Sequence, residues 1–373
     1  MDRVNVTIIG AGVIGLAIAA ELSGEFDDIL VIERNDDFGR EISSRNSEVI
    51  HSGIYYPTGS LKGTLCVEGA DLLYRYCRQH SIAHRRIGKL IVATDESEIS
   101  PLEELYRRGR DNGVSDLTIL DADEVARMEA NVNAVRALFS PNTGIIDSHG
   151  LMKRLWTVAQ GQGVTFSFNE EVVSIQRQTD GYVVSIRSEG YRFLSGVVIN
   201  AAGLCSDQIA DMVGIAVDPA EYRLHYCKGS YFSYARRSPV ERLIYPVPEK
   251  NLKGLGVHAT LDMAGRLRFG PDTEYVDDID YTVDASKKDR FYEGACKIIR
   301  GIDKDALVAD MAGVRPKIKG EGVKDFLIHH ETNRGLEGFI NLVGIESPGL
   351  TACLAIASRV RKFLDDISIA KKV

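Results

Sequence analysis

Residues 10–15 read Gly-Ala-Gly-Val-Ile-Gly, and no other stretch restricts the fold so strongly. Residues 4–9 before them have the apolar, β-branched content of a buried strand, and residues 13–22 after them read as a buried helix. Glycine at these three places lets the chain turn tightly at Gly10, lets a pyrophosphate approach the backbone at Gly12, and lets helix and strand pack closely at Gly15. The helix start then offers unpaired N–H groups and a partial positive charge to phosphate. Gly10, Gly12, Val13, Ile14 and Gly15 are therefore read as cofactor-binding. Residues 29–33 complete a βαβ unit. Glu33, 18 residues after Gly15, suits the two hydroxyls of an adenosine ribose and would repel a 2′-phosphate, and Arg34 comes next in the same site. The ligand implied is an ADP-containing dinucleotide, NAD or FAD. The competing reading is a glycine turn in an unrelated α/β fold.

The chain has 373 residues, enough for two domains or one large one. With 44% apolar and 26% charged residues it has the make-up of a soluble globular protein, not of a disordered, collagenous or coiled-coil one. A net charge of −8 argues against nucleic acid as a partner. The six cysteines include no C-x-x-C pair and read as reduced core thiols with no metal site, which fits a cytoplasmic setting. Residues 6–22 are nearly all apolar, yet they contain three glycines and fall short of the ~20 residues of a membrane span. No transmembrane segment is expected.

Elsewhere, helical patterns (61–80, 97–112, 121–128, 149–160, 287–300, 350–364) alternate with short strands (89–93, 165–168, 172–176, 182–186, 197–200, 339–342), and residues 223–269 read as a run of short strands. The fold class is α/β, α+β overall. A Rossmann-like nucleotide-binding domain (1–85, 145–220 and 310–373) would be interleaved with an antiparallel-sheet substrate domain (86–144 and 221–309).

The sequence after Glu33 separates FAD from NAD. An NAD dehydrogenase continues in regular βαβ units, whereas here residues 43–56 form a long loop rich in hydroxyl, amide and aromatic groups. Such a loop can line a flavin. Ser44, Arg45, Asn46, Ser47 and Val49 belong to it, and it carries His51 and then Tyr55 and Tyr56 toward the ring. Ala201, Ala202 and Gly203 form a second small-residue turn where a phosphate could approach. Residues 344–349 form a third, and the helix it opens could stabilise negative charge on a reduced flavin. Neither the loop nor the last turn has a role in an NAD dehydrogenase.

These residues carry a family resemblance. Residues 46–56 (Asn-Ser-Glu-Val-Ile-His-Ser-Gly-Ile-Tyr-Tyr), 59–62, Leu65-Cys66, 245–248, 256–258 and 313–315 together resemble the D-amino-acid-oxidase-like superfamily of FAD oxidoreductases, and within it most closely the L-2-hydroxyglutarate dehydrogenase/oxidase group. The resemblance runs nearly end to end and implies that superfamily's two-domain fold, a tightly bound FAD, and oxidation of a 2-hydroxy acid; several relatives hold flavin covalently through His or Cys, and here a non-covalent FAD is the expectation. It also implies that Val172, Val173, Gly344, Ser347, Pro348, Gly349, Leu350 and Thr351 lie with the cofactor, and that Arg315 is the superfamily's carboxylate-binding arginine. Residues 43–45, Glu48, residues 227–230 and Glu346 depart from the pattern, which bears on the substrate.

Oxidation of a 2-hydroxy acid to a 2-keto acid by hydride transfer to flavin N5 needs an acceptor for the hydroxyl proton and a cation for the carboxylate. Histidine suits the first because its ordinary pKa lies near neutrality. His51 is the first candidate and His258 the second. The bland alternative for either is a bond to a flavin carbonyl or the backbone. Arg315 can grip a carboxylate with two parallel bonds, or else be a structural ion-pair residue. A small dicarboxylate would want a further cation, for which Lys62 and Lys228 are candidates unless they are surface lysines. Tyr55 and Tyr245 would close the substrate site, or simply pack in the core. Three other readings stand beside this one: amine oxidation of a glycine- or sarcosine-like substrate, an NAD-dependent dehydrogenase, and a protein that keeps flavin only as structure. The electron acceptor is open among oxygen, a quinone and an electron-transfer protein, and a quinone would bring the protein to the inner face of a membrane.

Overall fold

The first strand, the glycine turn and the helix after it form as the spacing predicts, at Arg3–Ile9 and Val13–Leu22. The structure is a computed structural model and describes residues 1–248, 256–365 and 367. Residues 249–255, inside the 245–258 stretch that carries part of the resemblance, lie outside the described residues. The chain divides into two units and crosses between them four times: 1–44, 148–225 and 316–373 make the first, and 45–147 and 226–315 the second.

In the first unit Arg3–Ile9 lies parallel between Ile29–Ile32 and Arg192–Asn200. Thr165–Ser167 extends the sheet beyond Ile29–Ile32, also in parallel. Arg192–Asn200 changes partner along its length. Its first half pairs antiparallel with Gly181–Ile186, and Val198, Ile199 and Asn200 pair in parallel with Phe339, Ile340 and Asn341. The helix Val13–Leu22 is apolar almost all round and buries seven of its ten residues. A helix of that kind must be covered on more than one side, and Gly349–Leu364 and Ser148–Gly161 pack against it.

The second unit is built on a nine-stranded sheet in which antiparallel pairing predominates. Its exception is the parallel pair Lys89–Ala93 with Leu243–Pro246. One face is filled by a core around Phe232, Phe269 and Phe291, with the helix Lys288–Ile298 supplying Phe291, Ala295 and Ile298. A separate core joins Val49 and Ile54 to Ile91, Leu138 and Tyr245. The helix Leu61–Gln79 begins at Ser60, whose hydroxyl accepts from the Gly63 N–H, as an N-cap does. Asp121 and Glu124 form a capping box at the start of Ala122–Met128.

The predicted helices form to within a few residues, whereas the strands Arg136–Ser140, Leu307–Ile318 and Leu327–His330 have no counterpart in the sequence reading and the strand predicted at 197–200 begins at Arg192. The assignment of 45–85 to the nucleotide-binding domain does not survive, because this segment belongs to the second unit. Val49–Ile50 pairs with Gly144–Ile146, and Val49 and Ile54 pack into the second unit's core. The loop after Glu33 therefore changes unit at Ser44. Among the described residues, no helix is long and apolar enough to cross a membrane, no cluster of side chains has metal-binding composition, and no cysteine is in a disulfide.

Candidate active site

The first unit holds the phosphate-binding residues. A Cβ at Gly15 would stand 1.9 Å from the Gly10 carbonyl oxygen, and one at Gly10, where φ is +104°, would stand 2.5 Å from the Ala201 carbonyl oxygen. Only glycine meets both demands, so the turn presses closely on the second small-residue turn at Ala201–Ala202. At Gly12 the contact is instead a side chain, Ser43 Oγ, 3.0 Å from where a Cβ would be. The helix start at Val13 has no side-chain cap and no acidic residue in its first turn. The Val13 N–H donates to Ser43 Oγ at 2.9 Å. Ser43 is therefore the hydroxyl on the turn. Ser44 Oγ donates to the Glu41 carbonyl.

Glu33 is buried, and its Oε2 accepts from the Ala11 N–H at 2.8 Å while Oε1 accepts from Asn35 N and Nδ2 at 2.9 and 2.8 Å. The carboxylate braces the glycine turn and keeps lone pairs for two ribose hydroxyls. Arg34 pairs with Glu41 and donates to Cys205 Sγ. Val172 packs in the core with Ile9 and Ile32, and Val173 is 42% exposed. The helix Gly349–Leu364 starts after Pro348 without a side-chain cap or an acid in its first turn, a second anion-favouring helix start. Gly344 has φ +72°, and a Cβ there would meet Ile318 at 2.5 Å. Glu346, beside this start, pairs with Lys317 at 3.3 Å. An uncapped helix start, a glycine cradle that any Cβ would fill and a buried acid at the end of the second strand fit an ADP-containing dinucleotide.

The second unit brings four of the predicted residues together, with one that sequence reasoning missed. Tyr245 stacks on His258 with ring centroids 3.7 Å apart and planes at 12°. Lys89 Nζ lies 4.9 Å from the centroid of Tyr245 and 4.6 Å from that of Tyr55. The Cys66 thiol donates to the His51 carbonyl. The Tyr55 hydroxyl is buried with no hydrogen-bond partner. Burial, then the charges of Lys89 and His258, pull the His51 imidazole down to about 3, so it is held neutral. Burial pulls Lys89 down to about 7 and pushes the Cys66 thiol up to about 12. Lys89 opens the strand Lys89–Ala93, all of whose residues are buried. The available signal was a lysine beginning an otherwise wholly apolar strand, where alternation would have placed it on neither face in particular.

Arg315 lies on a different strand, Leu307–Ile318. Its Nε donates to the Cys227 carbonyl at 3.1 Å, and its Nη2 to the Lys228 and Asp272 carbonyls at 3.1 and 2.8 Å. One edge of the guanidinium thus fixes the strand Leu224–Tyr234, and its Nη1 side is what remains for a carboxylate. Lys228 is buried, not on the surface, and its ammonium pairs with Asp280 at 2.5 Å. Lys62 is also buried, four residues before Cys66 on the same helix. Tyr231 shares a hydrogen bond with Ser47, Asn46 Oδ1 accepts from the Glu48 N–H, and Arg45 lies over the Tyr281 ring at 4.1 Å.

Comparison with known proteins bears on both groups of residues. The family described as DAO, FAD dependent oxidoreductase, matches residues 5–362. The mitochondrial L-2-hydroxyglutarate dehydrogenase of Arabidopsis thaliana is 38% identical, over 97% of this chain and 84% of its own. A glycerol 3-phosphate dehydrogenase of Caloramator mitchellensis is 32% identical over 99% of this chain and 75% of its own. Among solved structures, the L-α-glycerophosphate oxidase of Mycoplasma pneumoniae with FAD bound superposes with a TM-score of 0.90 at 27% identity, covering 100% of this chain and 97% of its own.

Proposed function

Because this chain belongs to the DAO family of FAD-dependent oxidoreductases, we propose that it oxidises an L-2-hydroxy acid, L-2-hydroxyglutarate first among the candidates, to the 2-keto acid. Its cofactor is FAD, which when bound supplies the two-electron acceptor at flavin N5. The glycine turn, Glu33 and Ser43 would hold the ADP half, and the uncapped start of Gly349–Leu364 would favour negative charge on the flavin.

The observation that carries the reading is the second unit's cluster, where a neutral imidazole, His51, and a second, His258, stand among tyrosines and a buried lysine. An alcohol must lose a proton as its C–H hydride leaves, and a neutral imidazole can accept it. An amine can reach the flavin already deprotonated and has less need of this group. Arg315 would orient the substrate carboxylate by its Nη1 side. The identity to an L-2-hydroxyglutarate dehydrogenase over nearly the whole chain supports the same choice.

A second reading is oxidation of glycerol 3-phosphate, which the Caloramator relative and the Mycoplasma structure favour. It uses the same proton acceptor and differs in the anion to be held. Steady-state turnover of L-2-hydroxyglutarate, glycerol 3-phosphate, glycine and sarcosine with an artificial acceptor separates these. Turnover of the hydroxy acid at a kcat/KM at least tenfold above the others supports the proposal, and turnover of the amino acids alone contradicts it.

A further inference from the structure

Asn200 and Asn341 stand opposite each other in register on two parallel strands of the first unit. Both are buried, and so is Glu331, which follows the strand Leu327–His330. Burying three such groups is costly unless each is hydrogen-bonded, and here they are bonded in one line. Glu331 Oε1 accepts from Asn341 Nδ2 and from the Tyr222 hydroxyl, both at 2.9 Å, and Oε2 accepts from Arg334 Nε at 3.1 Å. Asn341 Oδ1 accepts from Asn200 Nδ2 at 2.7 Å, and the same nitrogen donates to the Ser206 carbonyl at 2.7 Å. Asn200 Oδ1 then accepts from the Ala202 N–H at 3.2 Å.

The line has a direction, and Glu331 sets it. A carboxylate only accepts, whereas an amide has a donating end and an accepting end. Facing Glu331, Asn341 must present its nitrogen, so its oxygen turns to Asn200. Asn200 in turn presents its nitrogen to Asn341 and keeps its oxygen for Ala202. An inverted Asn341 would set its NH2 group against that of Asn200. The turn on which the line ends has no room to shift. A Cβ at Gly10 would stand 2.5 Å from the Ala201 carbonyl oxygen, and the Ala201 N–H donates to the Ile9 carbonyl at 3.0 Å. Displacing the Ala201–Ala202 turn therefore disturbs the backbone at Gly10.

We propose that Glu331 is a positioning residue for the cofactor: through Asn341 and Asn200, its buried carboxylate holds the Ala201–Ala202 turn against the glycine turn. The inference rests on the reading that the glycine turn holds the ADP half of FAD, and it is independent of the substrate. Apolar residues would fill these places at no cost in hydration, as they do in the neighbouring pairs Val198–Phe339 and Ile199–Ile340. What apolar residues could not do is orient the Asn200 amide toward Ala202. A turn fixed in this way need not be ordered by the cofactor, which leaves more of the contact energy for binding.

The test uses the flavin-loaded enzyme and the variants Glu331→Gln, Glu331→Met and Asn341→Leu. Glutamine keeps an accepting oxygen for Asn341 and Tyr222 and turns its NH2 end to Arg334, which is half-exposed and can bond water instead. Methionine removes the acceptor. Leucine at 341 cuts the line while Glu331 keeps Tyr222 and Arg334 and Asn200 keeps the Ser206 carbonyl, so this variant is expected to fold even if the methionine variant does not. Two rates are read: FAD release, from the rise in flavin fluorescence on dilution, and backbone amide exchange of residues 200–206, by mass spectrometry. In the methionine and leucine variants both are expected to rise about tenfold, the scale of one buried group left unpaired. Exchange in the helix Ser148–Gly161 of the same unit is expected to stay unchanged, and the glutamine variant to stay within about twofold of the wild type. Either rate unchanged in Asn341→Leu overturns the inference, as does a glutamine variant as impaired as the methionine one. Exchange raised equally in 200–206 and in Ser148–Gly161 also overturns it, being the mark of a merely structural role. Glu33→Ala tests the underlying reading separately. If it releases FAD no faster than the wild type, the ADP half is not held at the glycine turn, and the exchange of 200–206 still decides whether Glu331 holds the turn.

Discussion

Exchanging Lys89 for methionine removes an ammonium that burial holds at about 7 from a site where, among the described residues, no carboxylate is paired with it. Replacing a buried charged group by a well-packed apolar side chain of similar volume removes its desolvation penalty and is expected to stabilise the fold. Lys89→Met is therefore expected to melt higher than the wild type near pH 7, and a fall in Tm would count against the burial of a charge that burial disfavours. His51 makes a separate prediction. Its folded value of about 3 lies below the ordinary 6.5, so the unfolded chain binds this proton first. The corresponding stability is complete above about 6.5 and is lost as the pH falls toward 3. Urea midpoints measured across that window are expected to drop with acidification, and to drop less steeply in His51→Gln. At this scale the sequence was informative for the glycine turn, whose spacing is a local motif. It was uninformative for Lys89, because a single lysine at the head of a short strand has no pattern to mark it, and for Ser43, whose contact with Val13 spans 30 residues of chain.

Among the elements, the turn between Arg3–Ile9 and Val13–Leu22 is the least tolerant of change. A methyl group at Gly15 would overlap the Gly10 carbonyl, and backbone cannot yield as a flexible side chain can. Gly15→Ala is expected to lower stability by about 1–3 kcal/mol, the usual scale for overpacking, and to purify with little bound flavin. Thermal melts and the ratio of flavin to protein absorbance check both effects, and a yellow, fully stable variant would show that the turn does not pack this way. The helices were legible because periodicity is local; their caps, Ser60 and Asp121, came only with the structure. What periodicity could not supply was partnership. The two-residue strand Val49–Ile50 is too short to have a signal of its own, yet its pairing with Gly144–Ile146 places the loop after Ser44 in the second unit.

At the scale of the molecule, the chain is two units interleaved in sequence, and each carries half of the chemistry. The first unit's parallel strands bring residues 10–15, Glu33 and the Ala201–Ala202 turn together, as a dinucleotide fold does. The second unit gathers His51, Lys89, Tyr245 and His258 from segments more than 200 residues apart in sequence. The interleaving was readable from glycine turns recurring near residues 10, 200 and 344, but the points of crossing were not, since they depend on long-range packing. The claim that joins the two halves is that the flavin takes a hydride from an L-2-hydroxy acid. The most direct measurement is anaerobic mixing of the purified yellow enzyme with L-2-hydroxyglutarate, D-2-hydroxyglutarate, glycerol 3-phosphate and glycine, monitoring the flavin band. The account predicts rapid bleaching by L-2-hydroxyglutarate and little by the D enantiomer or by glycine. Bleaching by glycine with no response to either 2-hydroxyglutarate would contradict it.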